Sequence, residues 1–95
     1  MEITEPRKKS FTIYTKSGCP NCIRVKGLFY TSPIKPLIVE CDEYLMKDRQ
    51  AFLEFINKKK QDNTPTSFPI VFNNGVYIGG YNETLALIRY STMLW

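Results

Sequence analysis

Histidine is absent from this 95-residue chain, and cysteine occurs only three times. Zinc takes four ligands, so a site built from this chain's Cys and His side chains alone cannot be completed. A metal or cluster shared between two copies stays open, since each copy could bring a pair of thiolates. Long apolar runs are missing too; none reaches the roughly 20 residues of a membrane-spanning helix. Residues 1–9 hold no apolar segment of the kind that forms a secretory signal. A cytoplasmic, reducing location is therefore expected, where closely spaced cysteines are more often catalytic than structural. Charge is modest at +4, with clusters at Arg7-Lys8-Lys9 and Lys58-Lys59-Lys60. Without a broad basic stripe and interleaved aromatics, these read as solvated faces or a frayed end, not as a nucleic-acid surface.

What is present suits one small domain, with residues 1–9 a charged arm and residues 10–95 the folded unit. Hydrophobic content of 43% and aromatic content of 14% argue for a packed core rather than disorder. Residues 10–15 alternate like a short strand. Residues 20–30 read as a helix, with Ile23, Leu28 and Phe29 inward, stopped by Pro33 and Pro36. Residues 37–41 form a compact apolar run, read as a buried strand, and Cys41 reads as a small packed residue at its end. A second helix covers residues 42–60, with Leu45, Phe52, Phe55 and Ile56 at helical spacing. Asn73-Asn74-Gly75 between two apolar runs marks a hairpin. Gly79-Gly80 ends its second arm, and a last helix starts at Tyr81 or Asn82 and carries Leu85, Leu87 and Ile88 to the C-terminus. The order is β-α-β-α-β-β-α.

The most informative residues are Cys19-Pro20-Asn21-Cys22, between the first strand and first helix. A helix N-terminus gathers unpaired N–H groups and positive dipole potential, which favour a thiolate. Pro20 fits the first helical turn, where no N–H is needed. Cys19 is expected at the cap, exposed and activated, and Cys22 one turn further in, able to close a disulfide. Lys16, Arg24 and Lys26 flank the pair and add positive charge.

Three ordered motifs, spanning about residues 10–89, resemble those of a glutaredoxin, a small member of the thioredoxin superfamily. They are Tyr14-Thr15-Lys16-Ser17-Gly18-Cys19-Pro20-Asn21-Cys22, Ser67-Phe68-Pro69 and Gly79-Gly80-Tyr81-Asn82-Glu83. The resemblance implies a thioredoxin-like α/β fold, a four-stranded mixed sheet flanked by helices, with Pro69 cis. It also implies glutathione as co-substrate and no metal. Cys19 and Cys22 would be catalytic; Lys16, Phe68, Pro69, Gly80, Tyr81, Asn82 and Glu83 would bind glutathione. Lys60, Gln61 and Thr66 are further candidates for the glycyl carboxylate. Departures from the family pattern are Asn21 in place of a tyrosine, Phe68 in place of a valine, and Asn82 in place of an aspartate.

On that resemblance the chain is a monomeric glutathione-disulfide oxidoreductase, binding neither nucleic acid nor membrane. Its substrates would be glutathionylated and disulfide-bonded proteins, with glutathione reductase and NADPH recycling the glutathione disulfide. A thiol near pKa 8.5 is only about 3% thiolate at pH 7. Lowering its pKa makes Cys19 a better leaving group more than a better attacker, because nucleophilicity falls with pKa. Rival readings are a donor reduced by thioredoxin reductase, and a dimer holding an iron–sulfur cluster through Cys19 and glutathione. Pro20 disfavours the second within the family. An interaction module without chemistry leaves the intact cysteine pair unexplained.

Overall fold

The computed structural model describes residues 1–62 and 64–90. The elements come in the expected order: β1 (Phe11–Thr15), α1 (Pro20–Gly27), β2 (Leu37–Glu40), α2 (Asp42–Lys60), β3 (Ile70–Asn73), β4 (Val76–Gly79) and α3 (Tyr81–Tyr90). The strands form one mixed sheet in the order β2-β1-β3-β4. β1 runs parallel to β2 and antiparallel to β3, and β3 runs antiparallel to β4. This is the expected thioredoxin-like α/β fold.

Because β1 lies inside the sheet, all five of its residues are buried, not only alternate ones. Its side chains still obey the strand period of two. Phe11 and Ile13 join Val25, Phe29 and Val71 on the α1 and α3 side. Tyr14 joins Phe52, Ile56, Ile70 and Phe72 on the α2 side. The charged arm lies along the α2 side. Tyr14 Oη donates to the Thr4 carbonyl at 2.6 Å, the Arg7 N–H donates to Thr12 Oγ1 at 2.9 Å, and Lys59 pairs with Glu5.

The helices differ from expectation in four places. Ile23 is 67% exposed, not inward. The buried stripe of α1 is Cys22, Val25 and then Phe29, at helical spacing, and Ile23 falls on another face. α1 also ends at Gly27, where i→i−3 bonds from Leu28, Phe29 and Tyr30 tighten the chain into a turn. Asp48 interrupts α2 with φ −160° and ψ 83°, and its Oδ1 accepts from the Ala51 N–H at 3.0 Å. Asp48 thus works as an N-cap for the second part of α2, a role Asp favours because its side chain competes for backbone donors. In α3 the buried residue is Thr84, while Leu85 is half-exposed. The expected run of α3 to the C-terminus lies outside the described residues beyond Tyr90. The hairpin turn is as expected, with Asn74 and Gly75 both at positive φ (55° and 80°).

Candidate active site

β1 delivers the chain at Thr15 to the short segment Lys16-Ser17-Gly18, and α1 then begins with Cys19 as its N-cap. The Cys22 N–H donates to Cys19 Sγ at 3.2 Å, so the cap position brings a backbone donor to the sulfur. Pro20 occupies the first turn. Cys19 and Cys22 are joined as a disulfide, with Cα atoms 5.2 Å apart. Cys19 is 8% exposed and Cys22 1%. Cys19 is thus less open than expected, because the disulfide folds its sulfur back over the first turn of α1. It remains the more accessible of the two.

Beside this helix end lies a cleft of about 460 Å³. Six of the expected binding residues line it: Phe68, Pro69, Gly80, Tyr81, Asn82 and Glu83. Asn21, between the two cysteines, lines it as well. Lys16 stands outside the wall but reaches it, its Nζ 5.5 Å from the centre of the Phe68 ring. That ring stacks on Phe52 at 6.0 Å, so the large side chain packs into the α2-side core. The Phe68–Pro69 peptide is cis.

At the far end the start of α3 is organised by Glu83. Its Oε1 accepts from the Gly80 N–H at 2.8 Å, while the Gly80 carbonyl accepts from the Thr84 N–H and Oγ1. This is a capping arrangement in which the third helical residue reaches back to the cap. Gly79 is needed for it. At φ +125° a Cβ there would stand 2.6 Å from Glu83 Cγ.

Of the flanking cations, Arg24 lies over the Tyr81 ring at 5.6 Å, whereas Lys26 turns away to pair with Glu40. Lys60, Gln61 and Thr66 are not in the cleft wall. The Lys60 amine is fully buried and donates to the Thr64 carbonyl at 2.8 Å and to Thr66 Oγ1 at 3.5 Å. Thr66 Oγ1 in turn donates to Asn57 Oδ1. Gln61 caps α2 in the left-handed conformation at φ 59°. Sequence reasoning did not name Asp62, Thr64 and Tyr77, which line the cleft. The Thr64 hydroxyl and N–H hold the Asp62 carboxyl below the usual carboxylate range, with help from Lys60. Asp-x-Thr is an Asx-turn pattern and could have signalled this wall.

Asp42 was likewise unnamed. Its Oδ1 accepts from the Ser17 N–H at 2.9 Å and its Oδ2 from the Ser17 hydroxyl. These bonds, with the Lys16 charge, keep its carboxyl below the ordinary range. Cys41 is fully buried, and burial pushes its thiol up to about 12.

The glutaredoxin family model matches residues 11–78. Glutaredoxin-C6 of Oryza sativa subsp. japonica is 34% identical over 77 residues, which are 79% of this chain and 62% of the rice protein. Mitochondrial glutaredoxin-2 of Bos taurus is 28% identical over 82 residues, covering 86% of this chain and 49% of the bovine protein. The chain thus spans about half to three fifths of these relatives' length. Glutaredoxin 1 from Francisella tularensis, solved in complex with cacodylate, superposes with a TM-score of 0.69 at 28% identity, covering 88% of this chain and 95% of that one. The buckwheat glutaredoxin–glutathione complex gives a TM-score of 0.70 at 25% identity, covering 93% and 78%. Since the family model spans most of the chain, from β1 into β4, this chain belongs to the glutaredoxin family.

Proposed function

We propose that the chain is a dithiol, glutathione-dependent thiol–disulfide oxidoreductase of the C-P-x-C type. Its substrates are protein–glutathione mixed disulfides and protein disulfides. One observation carries this reading: the Cys19–Cys22 pair at the α1 N-terminus stands beside a cleft walled by Phe68-Pro69 and by the start of α3.

Glutathione brings two carboxylates and one ammonium. The γ-glutamyl carboxylate meets the N–H groups of Tyr81 and Asn82, where a helix N-terminus favours an anion. Glu83 already holds the Gly80 N–H, and as a carboxylate it has capacity for a further donor, the ammonium. The Phe68 backbone aligns the glutathione cysteine in strand-like fashion. Asp62 places a negative charge in the cleft wall, so the glycyl carboxylate keeps to the Lys16 side.

The Cys19 thiolate attacks the glutathione sulfur of a mixed disulfide. The old S–S bond breaks, and the substrate leaves as a thiolate that takes a proton from water. A second glutathione thiolate attacks the sulfur of the same glutathione, releasing glutathione disulfide and the Cys19 thiolate. One free glutathione thiol is consumed per turnover, and the other half of the glutathione disulfide comes from the substrate. With a protein disulfide, Cys19 forms the mixed disulfide and Cys22 breaks it, leaving the Cys19–Cys22 disulfide, which two glutathione thiols in turn reduce to release glutathione disulfide. The test is turnover of a small glutathione mixed disulfide with glutathione, glutathione reductase and NADPH. Absence of NADPH oxidation above the uncatalysed rate refutes the glutathione reading.

A further inference from the structure

We propose that Asp42 is a positioning residue for thiol exchange: its carboxylate, on α2, grips Ser17 through both oxygens and so sets the placement of Lys16 and Cys19 on either side of Ser17. The geometry is a two-point clamp across 25 residues of sequence. Oδ1 accepts from the Ser17 N–H at 2.9 Å and Oδ2 from the Ser17 hydroxyl. One residue before Asp42 and two before Ser17, the Cys41 N–H donates to the Thr15 carbonyl at 2.8 Å. Only three residues separate the end of β1 from Cys19, and the clamp holds the middle one. With Thr15 and Ser17 both anchored, the direction of Lys16 over the Phe68 ring is set. So is the approach, through Gly18 at φ +67°, to the cap conformation of Cys19.

The direction of the Asp42 side chain supports this role. An acid in the first turn of a helix usually serves the N–H groups of its own helix. The cap of α2, Cys41, makes no side-chain capping bond, yet Asp42 turns both oxygens outward to the redox loop. Two donors on a charged acceptor make a stronger tie than a neutral contact. The amide of Asn could keep both contacts, accepting from the Ser17 N–H and donating to its hydroxyl oxygen. Charge and clamp can therefore be separated.

The inference rests on the glutathione reading only for the part played by Lys16. The experiment uses the full reduced chain and compares Asp42→Ala, Asp42→Asn and Ser17→Ala. One readout is the rate of iodoacetamide alkylation at Cys19 at pH 7, located by mass spectrometry. The other is KM and kcat for a small glutathione mixed disulfide. Asp42→Ala should slow alkylation several-fold and raise KM on the order of tenfold with little change in kcat, the pattern of lost uniform binding. Asp42→Asn should stay close to the parent, and Ser17→Ala should fall between.

A carboxylate acting only by its charge predicts the opposite sign, because removing an anion near the thiolate speeds alkylation in Asp42→Ala and Asp42→Asn alike. That result overturns the clamp, as does an Asp42→Ala chain at parental values. If Asp42→Ala does not fold, Ser17→Ala decides, since it keeps Asp42 and loses one arm; parental values there also refute the proposal. A parent chain that does not turn over the mixed disulfide refutes the glutathione reading instead, and the alkylation arm still tests the clamp.

Discussion

Replacing Cys22 by Ser separates the two half-functions proposed for the site. Cys22 is 1% exposed, so it meets an incoming disulfide only through Cys19. The Cα atoms of the two cysteines lie 5.2 Å apart, within the ordinary disulfide range, so Cys22 can attack with little backbone movement. Take an effective concentration of about 10 M, far below the ~10⁵ M and more of well-oriented groups. Against about 1 mM glutathione that is a roughly 10⁴-fold advantage in the release step, or about 5.5 kcal/mol of barrier. Turnover of a protein disulfide by Cys22→Ser should therefore fall at least about 100-fold, less than the full factor wherever another step limits. On a small glutathione mixed disulfide the mutant should stay within a few-fold of the parent, or exceed it, because a second glutathione does the resolving. The assay follows NADPH oxidation with each substrate on the same preparation. Loss of both activities together would mark an obligate dithiol donor and remove the case for a glutathione site between Phe68 and Glu83. Retention of both would mean that Cys22 does not resolve.

Other consequences can be measured. Gly79→Ala forces a side chain into φ +125° and onto Glu83; it should cost roughly 1–3 kcal/mol of stability, read from the urea midpoint, and raise KM for the mixed disulfide. Among the described residues the buried Thr15 Oγ1 has no hydrogen-bond partner, so Thr15→Val should stabilise the fold by about 1 kcal/mol in the same assay. The Cys41 thiol ionises near 9.0 when unfolded, and burial pushes its folded value up to about 12. Between those values the native state binds the extra proton, so stability should fall as pH rises above about 9, by up to about 1.4 kcal/mol per unit from this group. Cys41→Ala should reduce that slope. A slope unchanged by Cys41→Ala would show that the thiol contributes nothing to it.

Much of the fold was legible because local signals agreed with one another. Asn74-Gly75 sets the hairpin through positive φ at both positions, whatever surrounds it. Pro33 and Pro36 separate α1 from β2 for an equally local reason. Errors came where the decision was tertiary. Alternation in a strand commonly goes with one solvated face, yet the place of β1 between β2 and β3 with helices on both sides buries Thr12 and Thr15 as fully as Ile13. Ile23 looked inward by hydropathy alone. The phase of α1 is set instead by Cys22, which must face Cys19 and the sheet, and that phase buries Val25 and leaves Ile23 on the surface.

The site divides along the same line. Its cysteines, cis proline segment and glycine pair sit in contiguous motifs, so the resemblance to the family could name them. Asp42 and Lys60 act across space, and nothing in their neighbourhoods announces it. Lys60 closes a run of three lysines, which reads as solvated because burying an ammonium is costly unless it is paired. In the structure the pairing exists. The loop after α2 folds back so that the Thr64 carbonyl, Thr66 Oγ1, the Asp62 carboxylate and the Tyr77 ring all face the amine. Lys60 thereby supports the wall that Asp62 and Thr64 present to the cleft, and the candidate for holding a ligand carboxylate instead holds the protein's own. A cation seen in sequence is available to a ligand only if the fold has not already supplied it with anions and carbonyls, and that depends on a loop whose path no single residue specifies.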